Sequence, residues 1–370
     1  MRGRIPRGER EARMAWSRIS EPEDARALKL VREHGAEEAL ASVVNGSAEG
    51  AARYLSRVET LDIEQDLRVV SRLRARVLVP GDDEWPDGVD DLEVPPHCLW
   101  VRGPEDLRGA CERSAAVVGA RSATPYGEST AGEIAAGLCE RRFTVVSGAA
   151  FGIDGAAHRG ALAVEGLTVA VLAGGVERPY PDAHRGLLER IVATGAVVSE
   201  VAPGCAPTRW RFLKRNRLIA AMTRGTVVVE AGLRSGSRST AREATKLARV
   251  VAAVPGPVTS MVSAGCHELI RRGEAELVTD ADEVAELLGD LGTDLAPVKR
   301  GEVRPEDDLG EVEKVVWSAL PVRSATGVAS LAVHTALAER EVLGCLGRLQ
   351  LKGLAAHDGE GWRRPPRRPA

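Results

Sequence analysis

The residues with the clearest chemical potential lie in a short basic and aromatic segment near position 210. Trp210 and Phe212 alternate there with cationic side chains, ahead of a helix expected at Leu218–Met222. The segment holds five bases within nine positions, namely Arg209, Arg211, Lys214, Arg215 and Arg217. Cationic groups neutralise phosphates, and an aromatic ring stacks on an unpaired base. This pattern predicts a loop and first helical turn that bind single-stranded nucleic acid, with Lys214 among the contacts. The alternative is a solvated charged loop whose rings turn into the core.

Further candidates follow short apolar runs elsewhere in the chain. One run ends in Val118-Gly-Ala-Arg121, another in Ser147-Gly-Ala-Ala-Phe-Gly-Ile-Asp154, and a third is followed by Ser235-Gly-Ser237. Small residues let backbone amides approach a ligand, and helix N-termini at such loops favour phosphate. Arg121 adds a positive charge. These loops predict a phosphate-binding edge, and the alternative is a set of tight turns without a ligand.

Common cofactor motifs are absent from the sequence. No GxGxxG follows the first strand and no GxxxxGK[ST] occurs, so neither signature supports a dinucleotide or a P-loop site. The six cysteines contain no CxxC pair, and His158 and His184 lack a second ligand four residues later. We therefore expect no cofactor, no metal and no disulfide scaffold. Asp154 is expected to cap the helix that runs through Ala163.

The elements that must position these residues are predicted from short runs rich in β-branched residues and alanine. These runs alternate with helical stretches and are Ala115–Gly119, Phe143–Ser147, Thr168–Ala173, Ala196–Glu200, Thr226–Glu230 and Val250–Val254. Because the runs are apolar throughout, helices must cover both faces of the sheet. The pattern predicts an α/β fold with a doubly wound, Rossmann-like parallel sheet, in which ligands bind at the carboxyl ends of the strands.

The chain divides into four predicted segments. Residues 1–75 form an N-terminal helical module, and residues 76–289 form the Rossmann-like domain. Residues 290–310 form an acidic linker with several Gly and Pro residues. Residues 311–370 show three helices followed by a strand–turn–strand, which is the winged-helix order. This last segment ends in a basic tail that contains Arg363, Arg364, Arg367 and Arg368.

Charge is unevenly distributed, although the 370-residue chain has a formal net charge of only −3. Residues 115–279 contain 20 basic and 14 acidic residues, whereas residues 280–311 contain three basic and eleven acidic ones. The overall balance excludes a polycationic protein but leaves a basic domain next to an acidic linker. No apolar run is long enough for a membrane helix and no signal peptide is evident, so we expect a cytoplasmic protein.

Many short motifs, spread over about residues 80–280, resemble those of the DNA-processing protein A family, also called DprA or Smf, and follow the same order. They are Val118-Gly-Ala-Arg121 with Tyr126-Gly127, Ser147–Asp154, Tyr180-Pro181, Ser199-Glu200, Phe212, Arg215-Asn-Arg-Leu-Ile219, Ser235-Gly-Ser237 and Val254-Pro-Gly256. Ala120 stands where Ser is usual in the family, which removes one possible phosphate hydrogen bond. The N-terminal module resembles the SAM-like or helix-hairpin-helix-like modules of some members.

The resemblance implies a non-enzymatic protein that binds single-stranded DNA, and duplex DNA more weakly. It also implies a homodimer that helps to load the RecA recombinase, with a role in recombination or natural transformation. The implied DNA-binding residues are Arg121, Phe212, Arg215, Asn216 and Arg217. The implied amide and hydroxyl donors are Gly119, Ser147, Gly148, Ser235, Gly236 and Ser237.

Two alternative functions remain open at this point. One is an enzyme similar to the nucleotide phosphoribohydrolases, suggested by Glu230 and Glu243, although the PGGxGTxxE signature is absent and Ser235–Thr240 stands in its place. The other is a transcriptional regulator that binds duplex DNA through the winged helix. The predicted recognition helix mixes Arg340 with acidic neighbours, which suits a protein contact at least as well as a DNA groove.

Overall fold

The computed structural model describes residues 6–299, 301 and 306–366. It contains two compact units, Met1–Ala296 and Pro297–Ala370. Arg300 and Arg304 of the predicted linker, and Arg367 and Arg368 of the predicted basic tail, lie outside the described residues.

The first unit is built on a nine-stranded sheet with the order β1-β2-β6-β5-β4-β3-β7-β8-β9. The strands are β1 Ala75–Leu78, β2 Leu99–Arg102, β3 Ser114–Val118, β4 Thr144–Ser147, β5 Thr168–Val171, β6 Ala196–Ser199, β7 Gly225–Val228, β8 Val250–Ala253 and β9 Glu276–Leu277. Strands β3 to β9 pair in parallel, and β2 runs against both of its neighbours. The predicted doubly wound α/β fold is confirmed. The chain order reverses beside β3, so a crevice is expected at the carboxyl ends of β3 and β7.

Helices cover both faces of this sheet. They are α6 Leu107–Glu112, α7 Pro125–Glu140, α8 Ile153–Ala163, α9 Arg185–Thr194, α10 Arg209–Ala221, α11 Ser237–Lys246, α12 Ala264–Arg271 and α13 Ala281–Leu288. Strand β3 shows the consequence, because Ala115 and Val117 share a core with α7, α8 and α13 while Ala116 and Val118 share one with α10 and α11. Burial on both faces explains why the strands are apolar throughout.

Two local predictions on these helices are wrong. Helix α10 begins at Arg209 rather than near Leu218, because the Thr208 hydroxyl caps it by accepting a 3.2 Å hydrogen bond from the Arg211 amide. The basic segment is therefore helical and not a loop. Asp154 lies inside the first turn of α8 rather than at its N-cap, and its carboxylate accepts a 3.4 Å hydrogen bond from the Ala150 amide of the preceding loop.

The N-terminal helices belong to the same compact unit as the sheet. They are α1 Gly8–Ile19, α2 Ala25–His34, α3 Ala36–Val44, α4 Ala52–Val58 and α5 Ile63–Leu73. Trp16 and Tyr54 meet edge to face at 5.7 Å in a core that also contains Val77 of β1 and Trp100 of β2. The Trp100 indole donates a 3.2 Å hydrogen bond to the Ser17 hydroxyl, which ties α1 to the sheet.

The beginning of the predicted acidic linker is ionically paired. The Asp294 carboxylate lies 2.7 Å from Arg113, and the Asp290 carboxylate lies 2.9 Å from Arg224. Arg113 and Arg224 directly precede β3 and β7, so these contacts lie at the amino edge of the sheet. The Arg113 guanidinium holds the pKa of Asp294 down at about 2.

The second unit contains three helices followed by a two-stranded hairpin. Its elements are α14 Glu311–Ala319, α15 Val328–Thr335, α16 Glu339–Leu351, β10 Ala356–His357 and β11 Trp362–Arg363. Val316, Leu331, Leu346 and Trp362 form its core. The order of elements agrees with the sequence interpretation, and the winged-helix assignment stays a prediction. Across the described residues of both units, no helix has the length and apolar character needed to cross a membrane.

Candidate nucleic-acid interface

A cleft of about 760 Å³ lies at the carboxyl ends of β3 and β7, where the sheet topology predicts a ligand site. The loop after β3 forms one wall, the loop after β7 forms another, and α10 contributes a third. The residues that line it include Gly119, Arg121, Tyr180, Arg209, Phe212, Arg215, Asn216, Arg234, Ser235, Gly236 and Ser237. The cleft therefore gathers residues from four distant parts of the sequence.

One wall combines a cation with aromatic rings. The Arg121 guanidinium carbon lies 4.7 Å from the centre of the Phe212 ring, and the Tyr180 ring lies 5.3 Å from it on a tilted plane. Arg121 is exposed, and among the described residues it has no carboxylate within 4.0 Å. An unneutralised guanidinium beside a half-exposed ring provides both a phosphate partner and a stacking surface.

Arg215 forms the floor of the cleft and is held rigidly. Its side chain is buried and donates hydrogen bonds to the carbonyl oxygens of Gly148, at 2.8 Å, and of Val171. Burial lowers the pKa of Arg215 to about 10, and the nearby Asp154 carboxylate opposes that shift. Gly148 makes room for this arrangement, because a Cβ at that position would lie 2.5 Å from the guanidinium carbon of Arg215. Arg215 is thus a fixed positive charge rather than a mobile one.

Two other bases of α10, Arg211 and Lys214, do not line the cleft. Arg211 pairs with Glu21 at 2.9 Å, and Lys214 pairs with Glu23 and lies 4.5 Å from the Trp210 ring centre. Because the segment is a helix, positions 212, 215, 216 and 219 share one face, while positions 211 and 214 lie on another. The acidic loop between α1 and α2 neutralises this second face.

Arg217 is also held away from the cleft, and it is almost completely buried. It forms an ion pair with Glu200, whose side chain is equally buried, and its Nε atom lies 3.3 Å from Glu23. The structure therefore does not bring the predicted contacts Lys214 and Arg217 together with Arg121 and Phe212.

The predicted small-residue donors divide into two groups. Ser235, Gly236 and Ser237 lie on the cleft, where the two serine hydroxyls are 2.7 Å apart and the Gly236 carbonyl accepts a 3.3 Å hydrogen bond from the Asn216 amide. Gly119 lies there as well. Ser147 does not, because its buried hydroxyl donates to the Val117 carbonyl at 2.7 Å. Gly148 contributes its carbonyl to Arg215 instead of a donor to the cleft.

Comparison with known proteins identifies the family. The family model for DNA recombination-mediator protein A matches residues 76–289, which is more than half of the chain. The chain belongs to the DprA/Smf family. The resemblance noted in the sequence is thereby confirmed.

Relatives and solved structures of this family cover most of the chain. A DNA processing protein DprA of Mycobacterium tuberculosis is 48% identical over 94% of this chain and 93% of that protein. The X-ray structure of DNA processing protein A from Streptococcus pneumoniae has 30% sequence identity and a TM-score of 0.64, and covers 76% of this chain and 98% of that one. A structure that describes the single-stranded DNA binding mode of the Helicobacter pylori protein has 27% identity and a TM-score of 0.52, and covers 58% of this chain and 95% of that one.

Three cationic or aromatic residues of the cleft in this DprA/Smf member, Arg209, Tyr180 and Arg234, are not among the site residues predicted from its sequence. Arg209 belongs to the basic segment and Tyr180 to the Tyr180-Pro181 motif, but the sequence predicts no separate contact for either side chain. Arg234 directly precedes the Ser235–Ser237 loop, and a cation at that position in the sequence indicates a further phosphate contact. Tyr180 is 48% exposed in a chain with only 3% aromatic residues, which was a second signal.

The enzyme alternative depends on the carboxylates of Glu230 and Glu243, which contact residues outside the cleft in this DprA/Smf chain. Glu230 is fully buried and accepts hydrogen bonds from the Thr124 amide, at 2.9 Å, and from the Thr124 hydroxyl, at 2.6 Å. It therefore anchors the start of α7 and does not line the cleft. Glu243 forms a 2.9 Å ion pair with Lys246 on α11. Neither side chain is placed to act on a ligand in the cleft.

Proposed function

We propose that this protein binds single-stranded DNA in the cleft and acts as a non-enzymatic recombination mediator. The observation that carries the proposal is the exposed Arg121 guanidinium 4.7 Å from the centre of the Phe212 ring, with the fixed charge of Arg215 6.0 Å from the same ring centre. Support also comes from the Helicobacter pylori structure, which describes a single-stranded DNA binding mode for that protein.

Each residue has a separate role in this proposal. Arg121 moves to a phosphate, and the ring face of Phe212 that it leaves receives a base. Arg215 contributes an electrostatic attraction that needs no rearrangement, and Asn216 with the loop 235–237 donates hydrogen bonds. Lys214 and Arg217 reach DNA only after leaving Glu23 and Glu200. Duplex DNA binds more weakly because its paired bases are not available for stacking.

The family membership supports two further parts of the proposal. The protein delivers the bound strand to a RecA-type recombinase, and it acts as a homodimer in the cytoplasm. Natural transformation is the process this activity serves where the host takes up DNA.

The decisive experiment measures the binding of a fluorescent oligo-dT and of a duplex of equal length by anisotropy across a salt series. Arg121→Glu is the test variant because Arg121 is exposed, and Arg190→Glu, also exposed, on α9, is the matched control. We expect a preference for the single strand, a steep loss of affinity with salt, and at least about a tenfold loss for Arg121→Glu only. Equal binding of both DNA forms, or equal effects of the two variants, would refute the proposal.

A further inference from the structure

A second exposed aromatic ring lies just outside the cleft. Phe151 directly follows Ala150, which lines the cleft, and its side chain is 49% exposed. Its ring meets the His184 ring edge to face, with 5.0 Å between the centres. Because Ala150 lines the cleft, the half-exposed ring of Phe151 lies next to it and is accessible to a ligand there.

The loop that carries Phe151 is rigid. Ala149 adopts a left-handed conformation with φ of +55°, and its carbonyl oxygen lies 3.0 Å from Nδ1 of His184. Gly152 also has a positive φ, and a Cβ there would lie 2.7 Å from the Arg121 carbonyl oxygen. Two constrained residues, one on each side of Phe151, therefore define the path of the backbone that carries its ring.

An exposed cation lies near His184, the aromatic partner of Phe151. Arg159 lies on α8, and its Nη1 atom and the Cε1 atom of His184 converge on Gly155, at 3.1 and 2.8 Å from the position that a Cβ would take there. Arg159 is exposed, and within the described part of the chain no carboxylate lies within 4.0 Å of it. Arg185, which follows His184 in the chain, is by contrast paired with Asp182.

We propose that Phe151 and Arg159 form a second nucleotide-binding position, which takes a base and a phosphate of single-stranded DNA that leaves the cleft past Ala150. The inference rests on the proposed function, because it requires a strand in the cleft. The pair offers the same two groups as Phe212 and Arg121, an aromatic ring that is not fully buried and a guanidinium without a carboxylate within 4.0 Å among the described residues. The short distance along the chain from Ala150 to Phe151 makes the two positions continuous.

The test is a length series of fluorescent oligo-dT, from four to sixteen nucleotides, measured by anisotropy on the full chain. Phe151→Ala removes the ring, Phe151→Trp retains a stacking surface, and Arg159→Gln removes the charge. Leu55→Ala on α4, a partly exposed apolar residue far from the cleft in sequence, is the matched control. We expect Phe151→Ala to weaken binding of the sixteen-nucleotide strand about five- to tenfold. Phe151→Trp and Leu55→Ala are expected to leave that affinity unchanged.

The shortest strand separates the possible outcomes. Four nucleotides are expected to bind the wild type and Phe151→Ala equally, since they occupy the cleft alone, and this binding also shows that the variant is folded. An unchanged affinity for the long strand would overturn the second position, and so would an equal loss at both lengths. If the wild type binds no strand of any length, the proposed function itself fails.

A photochemical measurement gives an independent answer. Oligonucleotides with a single 5-iododeoxyuridine at successive positions are crosslinked to the wild type, and the modified peptide is identified by mass spectrometry. We expect one position to crosslink to Phe151 and a neighbouring one to residues of the cleft. Crosslinks confined to the cleft at every position would overturn the proposal.

Discussion

Replacing Gly148 by Ala is expected to dislodge the buried arginine at the floor of the cleft. The added Cβ would lie 2.5 Å from the guanidinium carbon of Arg215, closer than nonbonded carbons approach in folded proteins. Gly148 is the residue that follows β4, and its own carbonyl accepts a hydrogen bond from Arg215. The backbone there cannot retreat without disturbing a buried strand, so the guanidinium must move.

The cost follows from the contacts of Arg215. It donates two hydrogen bonds from a charged group to backbone carbonyls, and each such bond contributes about 1.5–3 kcal/mol. Because the side chain is buried, water cannot fully replace these partners. Loss of one bond and distortion of the other should lower the free energy of unfolding by about 3 kcal/mol. Affinity for single-stranded DNA should fall as well, since the fixed charge leaves the cleft.

Urea denaturation of the full chain, followed by circular dichroism, measures the first effect. The matched control is Gly186→Ala on α9, where a Cβ would meet no atom within 4 Å. In a helix this second change should be neutral or stabilise the fold by up to about 1 kcal/mol. If Gly148→Ala retains the stability of the wild type within about 0.5 kcal/mol, the tight coupling between Gly148 and Arg215 is wrong.

Two further predictions concern charge. Changing Glu21 and Glu23 together to Gln removes the ion-pair partners of Arg211 and Lys214. Affinity for oligo-dT should therefore rise a few-fold at low salt, and its salt dependence should steepen. An unchanged slope of affinity against salt in anisotropy titrations would contradict this. Burial lowers the pKa of His158 to about 3, so the unfolded chain binds more protons below about pH 6.5. The free energy of unfolding should therefore fall as the pH decreases from that value, and His158 contributes at most about 1.4 kcal/mol per pH unit to this fall. Urea denaturation repeated across pH should show a shallower fall for His158→Asn than for the wild type.

The sheet and the place of its cleft could be predicted because they depend on local patterns. Apolar runs such as Ala115–Gly119 identify buried strands, and the carboxyl ends of parallel strands meet at one edge whatever the side chains do. The partners of the basic helix could not be predicted in this way. Glu21 and Glu23 lie about 190 positions before Arg211 and Lys214 in the chain, and no local pattern links them.

The same reasoning applies to Ser147, which the structure does not place on the cleft. A serine at a strand end next to glycine is a reasonable donor for a ligand, but the sequence does not show which carbonyl lies above it. In the structure the Ser147 hydroxyl donates its hydrogen bond to the carbonyl oxygen of Val117, which lies on the neighbouring strand β3. Arg217 differs from Arg215 for a comparable reason, since two positions along a helix turn a side chain to another face.

Because the N-terminal helices share a core with the sheet, the folding of these helices and the binding of a ligand in the cleft are thermodynamically coupled. Trp16 and Tyr54 pack with residues of β1 and β2. Glu21 and Glu23 form ion pairs with Arg211 and Lys214 on the face of α10 that does not line the cleft. Loosening these helices would expose apolar surface and, at the same time, release the helix that carries Phe212 and Arg215. The N-terminal segment is therefore a thermodynamic support of the cleft, and a strand bound in the cleft would in turn stabilise helices that it does not touch.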